Sequence, residues 1–528
     1  MSVERHRIAI LLIVLLAFGL RVYHLDTQSF WSDEDLALGY AMHDVPNLVS
    51  TVAARFHTPL YFLTLHYWLT LVGSSDFAIR FLSLLLSTLA VPLLYRLGKS
   101  LFNSKVGALA ALIIAINPFQ IRYAQEARMY SMVLCLSLSS ALLFITALRE
   151  DKKMLWGAYA LVTALSMYTH YYACLVPLFE GLFFVISRIR GRYRSLTLPW
   201  LASQAAIAVL YSPWLSNILW LSSAQSWQET IPPFSLPWRL LRTYSLGSAI
   251  PSEQSIPFAL VFLLLLLLGL YAICTVGGEP GSALFSLLYL LVPFSFALGI
   301  VSMGRGFLEK YLMVVAPAYY LILAGGLALF PSKRMRWLLL VLGTLFIVGT
   351  NAYALHNYYF EPRFYNPDFR STAEHIETFS QQGDAILFDG PDPGVVFWHY
   401  YDGRLPIYRA PSPSDQEEGE TVNNLLTKIA ARHPRLWLVL YFHPPGPVEF
   451  WLNTHGFQAY REEFCNVNLY LYSLPDRQAF SGTMKRPPSA QSPGQIELAG
   501  YRLLPQTVES GGMVNLALYW RTVSEVRG

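Results

Sequence analysis

Apolar residues in this chain come in long blocks separated by short basic segments. Runs of ~18 or more nearly uncharged residues read as membrane spans. Residues 256–276 and 338–355 meet that criterion outright. The block pattern predicts eleven transmembrane helices: residues 8–22, 77–97, 106–121, 129–148, 155–169, 173–187, 198–221, 256–276, 283–303, 311–330 and 337–355. The first block follows Arg5 and Arg7 like a signal-peptide core, but no small-residue cleavage site follows it, so it reads as a retained helix.

Loop charges orient this array. Lys and Arg favour cytoplasmic loops, and they cluster at Arg5 and Arg7, at Arg96, Lys99 and Lys105, at Arg149, Lys152 and Lys153, at Arg188 to Arg194, and at Lys333, Arg334 and Arg336. That alternation places the N-terminus in the cytoplasm and everything after residue 356 outside it, as in a cell (inner) membrane protein. The apolar segment 59–73 would break the alternation if it spanned. It opens with proline and is short, and is expected to lie at the outer face, juxtamembrane or partly inserted.

Beyond residue 356 the pattern changes. Strand-like runs at 385–389 and 436–441, preceded by helix-like stretches at 368–381 and 422–433, predict an α/β domain over 357–475. Residues 476–495 are a Pro/Ser/Gly-rich linker. Residues 496–528 alternate in strand fashion and read as the opening of an incomplete β-sandwich. The expected fold is therefore an all-α polytopic bundle over 1–356, with a large first outer loop at 23–76, and a mixed C-terminal part.

Composition agrees. Of 528 residues 54% are hydrophobic and 14% charged, against about 25% charged in a soluble domain; mean hydropathy is +0.38. The net charge of +4 gives no reason to expect a nucleic-acid partner. Four cysteines, three of them inside apolar runs, exclude a disulfide framework and a CxxC metal site.

Candidate chemistry gathers on the predicted outer face. The first outer loop carries Ser32-Asp33-Glu34-Asp35 and later His57-Thr58-Pro59. The 3–4 connection carries Arg122, Glu126, Arg128 and Tyr130; the 5–6 connection His170 and Tyr171; the 9–10 connection Arg305, Glu309, Lys310 and Tyr311. Cations on that side run against the positive-inside trend, and a bound anion at the membrane surface would account for them. Each residue also has a local reading. Ser32 or Asp33 could cap a helix, His57 could be satisfied by backbone, Arg128 and Glu126 could form a structural ion pair, and His170 could pack in an aromatic belt.

The segments "WSDEDLALGY", "FHTPLYFLTLHYWLTLVGSSDFAIRFLSLL", "RYAQEARMYSM", "THYY" and "EKYLMVVAPAYY", in that order over roughly residues 8–356, resemble the bacterial branch of the GT-C membrane glycosyltransferases, the protein O-mannosyltransferases and lipid A aminoarabinose transferases. Thr58 stands where that family often has proline or lysine. The resemblance implies an inverting hexosyl- or pentosyltransferase with a polyprenyl-phosphate sugar donor, membrane lipid around it, and a glycan, lipid or protein acceptor. It makes Asp33 the catalytic carboxylate with Glu34 as motif partner. Arg128, Arg305 and Lys310, with Tyr130 and Tyr311, become candidates for the donor phosphate. His57, Glu126, His170 and Tyr171 are further active-site candidates. No cofactor is implied; Asp33, Glu34, His57 and His170 offer donor types for a divalent metal. Two other classes compete: a flippase or transporter of lipid-linked glycans, which would favour charged helix interiors and repeated halves, and an inactive membrane anchor.

Overall fold

The computed structural model describes residues 3–217, 230–390, 394–411, 421–441, 446–474, 496–504 and 514–522. The expected linker 476–495 and the end of the expected seventh helix, 218–221, lie outside them. The chain divides into two units, one of residues 1–28 and 33–364, the other of 29–32 and 365–528.

The first unit is a helical bundle. Among the described residues, seven helices are long and apolar enough to cross a membrane, or eight if one bent pair counts as a span. Three of the eleven expected segments form helices outside that set. Val3–Val22 carries Glu4, Arg5, Arg7 and Arg21. Lys153–Met167 has 15 residues, about 22 Å of helix against a hydrocarbon core of about 30 Å, and Thr197–Tyr211 passes into the 3₁₀ turn Ser212–Trp214 shortly before the described residues break off at 217. The segment expected at the surface is the 13-residue helix Leu60–Val72.

Local sequence explains the breaks that shape the bundle. The helix Asp76–Leu101 starts at Ser75, whose hydroxyl caps the Ala78 amide. Ser104–Ile116 ends at Asn117-Pro118, because proline cannot continue the backbone ladder and pushes its predecessor into extended geometry. Asn117 caps the Gln120 amide and donates to the Tyr244 carbonyl at 2.8 Å. The chain restarts as Pro118–Ala124, bent 59° from the helix before it. That bend delivers Arg122, Glu126 and Arg128 to one end of the bundle.

The helix Glu309–Leu329 runs through the middle of the unit and is almost wholly enclosed. Gly269 on Ser252–Thr275 makes this packing close: a Cβ there would collide with the Ile322 carbonyl. Small residues let membrane helices approach to backbone contact. Arg21 is fully buried and donates to Ser87 Oγ at 2.9 Å and to the Ala115 carbonyl at 2.8 Å, which ties the first helix to the next two. Lys310 thus stands at the start of a helix clamped on all sides.

The second unit contains a five-stranded mixed sheet. Its strands are β1 (Ala385–Asp389), β2 (Ile407–Arg409), β3 (Arg435–Tyr441), β4 (Phe457–Phe464) and β5 (Val467–Ser473), in the order β2-β1-β3-β5-β4. β1 pairs in parallel with β2 and β3; β5 runs antiparallel to β3 and β4. Every residue of β1 and β3 is buried, as expected of strands covered on both faces. Ile496–Leu504 and Asn515–Thr522 form a separate antiparallel pair.

Candidate active site

Asp33 and Glu34 sit in the first turn of the helix Ser32–Ala41, and their side chains do different things. The Asp33 carboxylate turns to Lys310, whose Nζ lies 2.9 Å from Oδ2. Arg128 Nε is 3.9 Å from the same oxygen, and Arg128 Nη1 donates to the Asp33 carbonyl at 3.1 Å. Asp33 keeps 23% of its side chain exposed, while Arg128 keeps 5% and Lys310 15%. The carboxylate is reachable, and the cations behind it are held. Burial alone would raise the Asp33 carboxyl, but Arg128 and Lys310 outweigh burial and hold it at about 2. Asp33 is therefore ionised at every physiological pH.

Glu34 is buried completely. Arg80 donates to both of its oxygens at 2.8 Å, and the Ala127 amide donates to Oε1 at 3.0 Å. Arg80 is also satisfied by the Leu25 and Gln28 carbonyls. Both Glu34 oxygens are thus engaged by the protein itself. These bonds fasten the helix that carries Asp33 to the turn that carries Arg128. Sequence reasoning missed Arg80. The available signal was an arginine one turn inside an apolar helix, on the side where loop charges predict few cations.

The Arg128–Glu126 ion pair that the sequence left open is not among the ion pairs of the described residues. Glu126 pairs instead with Arg122, at 3.3 Å and four residues away on the same turn of chain. Burial pushes the Glu126 carboxyl up, partly opposed by Arg122.

An aromatic group surrounds Lys310 and its neighbours. Lys310 Nζ stands 5.4 Å from the centre of the Tyr130 ring. The His170 ring lies 5.9 Å from Tyr130, 5.6 Å from Tyr172 and 5.7 Å from Tyr311. Tyr171 donates to the His57 carbonyl at 3.4 Å, and His57 packs against Tyr40 and Phe62. Burial lowers the His57 imidazole to about 4 and His170 to about 3, with Arg128 adding to the effect in both. Both rings are neutral at pH 7. Arg305 lies exposed in the connection before Glu309, and Glu309 is engaged by Arg239. Among the described residues, no three His, Cys, Asp or Glu side chains gather in a way that would hold a metal ion. Chemically, the arrangement offers one accessible carboxylate against two fixed cations, walled by tyrosines. This suits binding a phosphate and accepting a proton beside it.

Comparison with known proteins points to one class. A family profile described as dolichyl-phosphate-mannose-protein mannosyltransferase matches residues 56–217. No curated protein matches the chain. Among solved structures, ArnT from Cupriavidus metallidurans in the apo state is similar over 89% of this chain and 98% of its own, with 13% identity and a TM-score of 0.56. The same protein bound to undecaprenyl phosphate is similar over 87% and 97%, with 14% identity and a TM-score of 0.54. The Archaeoglobus fulgidus oligosaccharyltransferase AglB, in complex with an inhibitory peptide and a dolichol-phosphate, is similar over 82% and 69%, with 10% identity and a TM-score of 0.52. The chain has the fold of the GT-C membrane glycosyltransferases.

Proposed function

We propose that this protein is an inverting glycosyltransferase that moves a hexose or pentose from a polyprenyl-phosphate donor to an acceptor hydroxyl at the extracytoplasmic face of the membrane. The observation that carries this reading is the Asp33 carboxylate set against Lys310 at 2.9 Å and Arg128 at 3.9 Å. The fold supports it, since ArnT and AglB have been solved with undecaprenyl phosphate and dolichol-phosphate respectively. The loop charges support the orientation, with the N-terminus cytoplasmic and the Asp33 end of the bundle outside. In this reading, residues 1–356 are the catalytic module and 357–475 an extracytoplasmic domain.

The same three residues give a mechanism. A phosphate arriving beside Lys310 and Arg128 takes a share of the positive charge that holds Asp33 so acidic. As those cations turn to the phosphate, the carboxylate becomes a better base. The acceptor oxygen attacks the anomeric carbon while its proton passes to Asp33. The bond from the anomeric carbon to the phosphate oxygen breaks, and the polyprenyl phosphate leaves with its charge on Lys310 and Arg128. One displacement inverts the anomeric configuration. Donor-phosphate contacts are assigned to Arg128 and Lys310, with Tyr130, Tyr311 and Arg305 flanking. His57, Glu126, His170 and Tyr171 shape the surroundings.

The test is mass spectrometry of the cell envelope from cells with and without the protein, and with the Asp33→Asn variant. One glycan, lipid or protein should lack a sugar in the last two. An identical envelope in all three would remove the assignment.

A further inference from the structure

A second charged feature lies at the other end of the bundle. A cleft of about 660 Å³ is lined by Lys105, Ala328, Lys333, Arg334, Arg336, Trp337 and Leu340. Ala328 and Lys310 are eighteen residues apart in the central helix Glu309–Leu329, a distance of ~27 Å at 1.5 Å per residue. The cleft is therefore separate from the site around Asp33.

Three observations set it apart from an ordinary basic loop. First, the lining holds four cations and no carboxylate. Around Asp33, by contrast, the cations face carboxylates, as Arg80 does Glu34 and Lys310 does Asp33. Among the described residues, Lys105, Lys333, Arg334 and Arg336 make no such pair. Second, the wall is apolar where it meets the membrane region. Trp337 is 68% exposed and neighbours exposed Met335 and Leu338. An indole beside cations at the mouth of a span is the composition of a headgroup-level surface. Third, the helix lining the cleft is irregular. Leu339–Gly343 is a π-helical turn inside Lys333–Phe360, and such turns recur at functional sites. It coincides with close packing of Gly343 against Leu327, where a Cβ would collide. The positive-inside bias explains the sign of these charges, but it does not require a hollow among them with a tryptophan on its wall.

We propose that this cleft binds the phosphate headgroup of an anionic membrane phospholipid. Two guanidinium forks present donors that match phosphate oxygens in pairs, two ammonium groups add charge, and Trp337 and Leu340 meet the glycerol and first acyl carbons. Basic pockets between membrane helices bind acidic headgroups in this way. The proposal does not depend on the glycosyltransferase reading.

The test is native mass spectrometry of the purified full chain. Phosphatidylglycerol is titrated against phosphatidylcholine with the same acyl chains. Wild type should retain phosphatidylglycerol preferentially, with a first adduct that survives activation longest. The double variant Arg334→Gln/Arg336→Gln should hold that adduct roughly 10- to 30-fold more weakly. Because removing loop cations can disturb insertion, Lys105→Gln with Trp337→Leu serves as a second variant that keeps the arginine cluster, and it should also weaken the adduct. Millimolar inorganic phosphate should not displace the lipid. Equal retention of the two lipids, or unchanged retention in both variants, would overturn the proposal. Displacement by inorganic phosphate would do so as well, by assigning the cleft to a soluble anion.

Discussion

Arg80 grips both carboxylate oxygens of Glu34 at 2.8 Å in a pocket with almost no solvent contact. In the proposed mechanism this pair sets the position of Asp33. Glu34 adjoins Asp33 in one helical turn and also receives the Ala127 amide next to Arg128. Removing one partner of a buried pair leaves an uncompensated charge and costs about 3–5 kcal/mol. Glu34→Gln and Arg80→Met should each lower thermal stability in detergent by that order and reduce transfer as well. The double variant, which leaves no orphan charge, should recover part of the stability but not the activity. Full stability in both single variants would show that the pair is not a structural fastener.

Lys310 and Arg128 should act on the donor more than on the acceptor. A charge-assisted contact is worth about 1.5–3 kcal/mol, which corresponds to roughly 10- to 150-fold in apparent donor affinity. Lys310→Ala and Arg128→Ala should raise donor KM by that order, with a smaller change in acceptor KM. Steady-state kinetics with each substrate varied in turn decides this. Normal donor saturation in both variants would place the phosphate elsewhere.

His57 should leave its mark on acid stability. Its ordinary value of 6.5 is lowered to about 4 in the folded protein. The unfolded chain therefore binds a proton that the folded chain does not, so stability is full above about 6.5 and declines as pH falls toward 4. The His57→Asn variant removes this proton uptake and should show a shallower loss of melting temperature between pH 6.5 and 4. His170, lowered to about 3, contributes in the same sense and remains in that variant. Parallel curves for wild type and variant would show that His57 is charged in the folded state.

The membrane architecture was largely legible because block hydrophobicity and loop charge are local properties. The same property brought Asp33, Arg128 and Lys310 to one face on paper: each is a polar residue in a connection between apolar blocks, and alternation of the helices sorts connections by side. Three things were not legible. Arg80 meets Glu34 across 46 residues, and a pairing of that kind depends on helix packing that no local pattern records. The Arg122–Glu126 pair had a visible four-residue spacing, but Arg128 was nearer still in sequence, and only the fold turns it toward Asp33. The block read as 155–169 forms a helix of the same length, Lys153–Met167, because apolar composition marks a segment as membrane-compatible whether or not it is long enough to cross. In the second unit β2, β4 and β5 escaped notice: β2 has three residues, and β4, at the edge of the sheet, is charged at Arg461, Glu462 and Glu463 with a burial pattern that does not alternate.

The proposed role of Asp33, taking the proton of the acceptor hydroxyl, is put to the test by Asp33→Asn. Asparagine keeps the size and the capping ability of aspartate at a helix start while removing the charge paired with Lys310. The measurement is the sugar-transfer rate in membranes at saturating donor, alongside Asp35→Asn, which lies two positions further along the same helix. Asp33→Asn should insert like wild type, retain the lipid donor and lose transfer by about 10²–10⁴-fold, while Asp35→Asn keeps most of its rate. Transfer at the wild-type rate by Asp33→Asn would contradict the account and show that the base is another residue.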